Sequence, residues 1–70
     1  MSLTRKPAPH ASLQDRRVAL YLSRPDLAEL AGVSARTIYS VESGSTEPSA
    51  ITLRRIEDAL VRAETERGER

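Results

Sequence analysis

The chain contains no cysteine. This excludes a disulfide framework, a cysteine-based zinc site and a thiol nucleophile, and it fits a reducing cytoplasm. Aromatic residues are scarce, two tyrosines being the whole complement. No apolar run approaches the roughly 20 residues that a membrane span needs. No segment has the basic, apolar, small-residue order of a signal peptide. A soluble, intracellular protein is expected. Catalytic constellations are missing too. The carboxylates show no paired spacing for acid–base work, and there is no phosphate loop or dinucleotide fingerprint. Ser34 has no histidine or lysine at triad-like spacing. His10 is the single histidine, with no second residue to make a metal site. The expectation is a protein that is no enzyme, with no cofactor and no metal.

What remains is short. Seventy residues allow one domain, and a domain of this size buries only about 60% of the surface its unfolded chain exposes. Net charge is +1, which alone predicts no polyanionic partner, but its distribution is uneven. Residues 1–24 carry Arg5, Lys6, Arg16, Arg17 and Arg24 against Asp15 alone. Residues 25–48 carry Arg36 against Asp26, Glu29, Glu42 and Glu47. Residues 49–70 are balanced. Positive charge is concentrated near the N-terminus.

Punctuation divides the chain. Residues 1–11, with two prolines and no periodicity, read as a flexible basic arm. Ser12 followed by Asp15 suggests an N-cap and a weak capping box. Leu13, Arg16, Arg17 and Leu20 then share a helical face, with Val18, Tyr21 and Leu22 beside it. Two arginines on such a face require at least one partner. Ser23 opens a second helix with Pro25 in its first turn, where the missing N–H costs nothing, and Asp26 three residues on. Leu27, Ala28, Leu30 and Ala31 give this helix its apolar face. Gly32 is the natural left-handed stop, and Ser34 caps a third helix over 35–43, with Ile38 and Val41 facing inward. Gly44 ends it. After a loop, Ser49 caps a fourth helix with Ile51, Leu53, Ile56, Ala59 and Leu60 at helical spacing. Past Val61 the apolar signal fades. The expected organisation is an arm over 1–11, a domain over 12–62 and a charged tail or frayed helix end over 63–70. No strand is predicted.

Two helices joined by a tight glycine-containing turn form a helix-turn-helix. The constellation Leu13, Arg17, Leu22-Ser23, Leu27-Ala28, Gly32-Val33-Ser34, Thr37-Ile38, Glu42, Gly44, Pro48-Ser49, Thr52-Leu53, Ile56 and Ala59-Leu60 resembles, in register, the Cro and phage-repressor (XRE) type of helix-turn-helix proteins. The resemblance spans about Leu13 to Leu60. It implies an all-α, compact four-helix, lambda-repressor-like domain that binds double-stranded DNA as a homodimeric, cytoplasmic, bacterial or phage-encoded transcription regulator, such as a repressor. Three departures stand out. Arg24 occupies a position where the family usually has Gln, Arg16 one that is usually apolar, and the fifth helix of fuller phage repressors is missing.

The family pattern places Ala35, Arg36 and Ser40 where base edges are read. Arg36 is the strong reader, because a guanidinium grips guanine O6 and N7 together. Backbone contacts need N–H groups and positive charge. That nominates Arg24, Ser34 and Thr37, then Ser43, Ser45 and Arg54 or Arg55, with Tyr39 donating to a phosphate or packing on sugar. Arg5 and Lys6 would follow the groove or the backbone. The pattern also pairs Arg17 with Glu42. A rival reading makes the domain a protein-interaction module, or an antitoxin, acting mainly through a protein partner. The acidic balance of 25–48 and the few strong base readers favour it.

Overall fold

The computed structural model describes residues 11–68, in which four helices follow one another: α1 (Ala11–Ala19), α2 (Arg24–Ala31), α3 (Ala35–Ser43) and α4 (Ala50–Gly68). Residues 1–10, which hold Arg5, Lys6 and His10, lie outside the described residues. Local chemistry sets the boundaries. Ser23 caps α2 through a complete capping box: its hydroxyl accepts from the Asp26 N–H and the Asp26 carboxylate accepts from the Ser23 N–H, both at 3.1 Å. Ser34 caps α3 by accepting from the Thr37 N–H at 3.1 Å, and Ser49 caps α4 by accepting from the Thr52 N–H at 3.1 Å. Gly32 and Gly44 end α2 and α3 in the left-handed region, at φ 74° and 77°.

The three short helices and the first half of α4 enclose one core of Leu13, Leu20, Leu27, Ala28, Ala31, Ile38, Val41, Ile56, Ala59 and Leu60. Leu22, Val33, Ala35, Leu53 and Ala63 pack around it, half-buried. Val33 thus closes the core from within the turn. Ala28, buried at the α2–α3 crossing, has a side chain small enough for the two helices to approach.

Several expectations from the sequence are corrected. Ser12 lies inside the first turn of α1, behind Ala11, and no hydrogen bond joins it to Asp15 among the described residues. Alanine, the best helix former, extends the helix past the expected cap. Leu30 and Ile51 are exposed, by 51% and 67%. Leu30 sits roughly 100° around α2 from the centre of the Leu27, Ala28 and Ala31 stripe, and Ile51 sits still farther from the Ile56, Ala59 and Leu60 stripe of α4. Val18 and Tyr21 are exposed as well, and Tyr21 lies beyond the end of α1 with φ 60°. It takes the left-handed position that glycine takes after α2 and α3, and its ring lies under the Arg67 guanidinium at 5.2 Å.

The stretch expected as a charged tail or frayed helix end is helical as far as Gly68. Arg16 of α1 accounts for much of this. Its Nε and Nη2 donate to the two carboxylate oxygens of Glu64, and its Nη1 donates to Glu57, all at 2.8 Å. Glu57 and Glu64 are seven residues apart, two turns along one face of α4, so a single guanidinium spans both. Ala63 continues the inward stripe and packs against the core. The position that is usually apolar in the family the sequence resembles thus serves as a polar tie between α1 and α4.

The turn glycine and the α1–α4 tie each contribute measurably to stability. A Cβ built on Gly32 meets nothing within 4 Å, so Gly32→Ala suffers only the left-handed backbone penalty. It should lower unfolding free energy by about 1–2 kcal/mol, and Gly32→Asn, which tolerates that region, by less; denaturant melts of the two variants check the order. The tie is sensitive to acid. The Arg16 guanidinium holds the Glu64 carboxyl below the usual glutamate range. A depressed carboxylate adds stability above its unfolded pKa, about 4.3, and that stability is lost as pH falls through the lower folded value. The stability gap between wild type and Arg16→Met should therefore hold at neutral pH and close under acid, as read by melts across that range.

Candidate nucleic-acid interface

Arg17 and Glu42 form an ion pair in the interior. Among the described residues they are the buried charged side chains, 7% and 6% exposed. Arg17 Nε donates to Glu42 Oε2 at 2.7 Å and its Nη2 to Oε1 at 3.1 Å. Its Nη1 donates to the Leu22 carbonyl at 2.9 Å, in the α1–α2 turn. One guanidinium therefore joins α1, the turn into α2 and the last turn of α3. The bidentate geometry matters because each charge, desolvated here, would be costly alone.

Arg24, the first residue of α2, reaches the same carboxylate. Its Nε donates to Glu42 Oε1 at 3.1 Å, and its guanidinium lies 5.2 Å from the centre of the Tyr39 ring. The arginine that replaces the family's usual Gln is thus tied to α3 at two points. Nothing in the local sequence announced this. Arg24 and Glu42 are 18 residues apart, and their meeting follows only from the crossing of α2 and α3.

With Ile38, Val41 and Glu42 turned inward, α3 presents Arg36, Tyr39 and Ser43 to solvent and leaves Ala35, Thr37 and Ser40 half-buried. Ala35 also packs against the core. Among the described residues no side chain pairs with Arg36. The hydroxyls at the start of α3 bond to each other, Ser34 Oγ to Thr37 Oγ1 at 2.9 Å. At its other end Ser43 Oγ donates to the Ser40 carbonyl and to Ser45 Oγ, at 3.3 and 3.1 Å. Ser45 is exposed in the loop that follows. Arg54 is exposed on α4, 3.6 Å from Asp58, and Arg55 is exposed beside it.

A depression of about 200 Å³ runs between the outer face of α3 and the segment leading into α4. Arg36 and Ser40 of α3 line it together with Thr46 and Thr52. Neither Thr46 nor Thr52 is among the site residues nominated from the sequence. Thr52 is at the first turn of α4, where its N–H serves the Ser49 cap, and only the folded loop brings it to the same depression as Arg36. Among the described residues no helix is long and apolar enough to cross a membrane.

A family model described as helix-turn-helix matches residues 13–60, more than half of the chain. The chain belongs to the XRE-type helix-turn-helix family. No match was found among curated proteins or among solved structures. The family is one of DNA-binding regulators, and α2 with α3 is the helix pair that gives it its name. In this member of the family the angle between α3 and the rest of the domain is governed by polar links to Arg17 and Arg24 as well as by apolar packing.

Removing one partner of the buried pair should hurt more than removing both. Glu42→Gln should destabilise by about 2–4 kcal/mol, leaving Arg17 without a counter-charge. Arg17→Met combined with Glu42→Leu should recover much of that loss. Equilibrium denaturation of Glu42→Gln, Arg17→Met and the double variant measures the coupling: strong non-additivity is expected, and simple addition would show that the two residues act independently.

Proposed function

We propose that this helix-turn-helix protein is a sequence-specific transcriptional regulator that inserts α3 into the major groove and acts as a repressor. The observation that carries this reading is the outer face of α3, where Arg36 stands exposed, unpaired among the described residues, on a helix fixed from behind by Ile38, Val41 and Glu42. Rigid presentation matters, because a bidentate contact to guanine tolerates little angular error. On this reading Ala35 touches a thymine methyl, Arg36 grips a guanine and Ser40 adds a weaker contact.

Backbone phosphates would meet Arg24 at the start of α2, and Ser34 and Thr37 at the start of α3, where helix N-termini carry partial positive charge. Tyr39, Ser43, Ser45 and Arg54 would extend the contact, with Arg5 and Lys6 adding charge from outside the described residues. The protein would act in the cytoplasm as a homodimer on a near-palindromic operator with half-sites about 34 Å apart, repressing by occlusion of polymerase.

The second reading, a domain whose main partner is a protein as in an antitoxin, draws on the exposed acidic side chains of Asp26, Glu29 and Glu47 in the same segment. A mobility-shift titration on random duplex at low and moderate salt separates the two. A DNA binder loses affinity steeply as salt rises, whereas an interaction module binds little at either. On a selected site, Arg36→Ala should cost about 1–3 kcal/mol and flatten preference at one base pair. A variant that keeps both affinity and preference would remove Arg36 from the reading set.

A further inference from the structure

Arg24 is a cation placed where the backbone disfavours one. It is the first residue of α2, and a helix N-terminus already carries partial positive charge that favours acidic side chains. The need to neutralise Glu42 does not explain it. Arg17 already contacts both oxygens of that carboxylate, so Arg24 makes the cluster net positive. What Arg24 adds is a connection outward. Its Nε is anchored on the buried Glu42 and its guanidinium lies over the Tyr39 ring, while its side chain remains 40% exposed. Tyr39 is 54% exposed on the flank of α3 and, among the described residues, its hydroxyl makes no hydrogen bond. Without the guanidinium, such a ring would sample several rotamers.

We propose that Arg24 is a positioning residue for Tyr39. Hung on Glu42, it holds the tyrosine ring in one orientation beside α3, so that the phenol hydroxyl meets DNA at a fixed point and contributes to affinity. The chain of support runs from Arg17 through Glu42 and Arg24 to Tyr39, from the interior to the surface that α3 presents. The proposal rests on the reading that α3 enters the major groove. It differs from a direct phosphate contact by Arg24, since Arg24 here acts through the tyrosine.

The test is a double-mutant cycle on DNA, supported by spectroscopy of the free protein. The probe is the duplex recovered by selecting randomised DNA of about 20 base pairs against the wild type. Arg24→Met should lower the thermal melt only slightly, because Arg17 keeps its bidentate contact with Glu42. It should weaken binding by about threefold more in the wild-type background than in the Y39F background, the size of an exposed cation–π contact. A direct phosphate contact by Arg24 would be lost equally in both backgrounds and cancels in the comparison. In the free protein, with Y21F leaving a single tyrosine, Arg24→Met should shift the Tyr39 ring resonances. Equal losses in the two backgrounds, or unmoved ring resonances, overturn the proposal while the groove reading stands. A wild type that selects no duplex overturns the groove reading and the proposal with it.

Discussion

The carboxylate of Glu42 is the constraint around which the domain is arranged. It sits in the interior on the last turn of α3, and a charge taken out of water there needs a matching charge at close range. Arg17 supplies it from α1, and Arg24 joins from α2. Apolar packing alone would hold α3 loosely in rotation, because only Ile38 and Val41 are its buried apolar side chains. Hydrogen bonds to a guanidinium are directional, and a bidentate pair admits one angle. The pair therefore contributes orientation where the small core contributes most of the cohesion.

Much of this fold is written in local signals. Ser23, Ser34 and Ser49 mark helix starts because their hydroxyls bond to N–H groups three residues on, and Gly32 and Gly44 mark ends because the left-handed region favours residues without a side chain. Both signals act over a few residues, so a sequence displays them. The first helix was less legible: Ser12 lies within it, and its end uses Tyr21 where a glycine would be expected. Leu30 and Ile51 misled because an apolar residue at roughly helical spacing looks inward until the angle is measured against the whole stripe. At the candidate site the outer face of α3 followed from periodicity, and the resemblance suggested Arg17 with Glu42. The tie from Arg24 to Tyr39 and the place of Thr52 in the depression beside Arg36 could not be read, since both depend on how separate segments pack.

Net charge is also a poor guide to what such a surface can attract. Arg16, Arg17, Arg24 and Arg54 are engaged with carboxylates inside the molecule, and Asp26 is engaged in a cap. Arg24 and Arg54 keep exposed side chains beyond those pairings, and Arg36 stands on α3 itself with no side-chain partner among the described residues. What a partner meets is set by where individual charges stand on the surface, and net charge does not record that.

The long fourth helix consists of two parts with different kinds of support. Up to Leu60 it is anchored by side chains that are almost fully enclosed. Beyond that, the main attachments are Ala63, the Arg16 bridge to Glu64 and the ring of Tyr21 against Arg67. Attachments of the second kind open at little cost, without disturbing the rest of the molecule. The amides of α4 are therefore graded in their protection from exchange with solvent. Those around Ile56 exchange only when the whole domain unfolds, while those of the last two turns exchange through a local opening that detaches from α1 first.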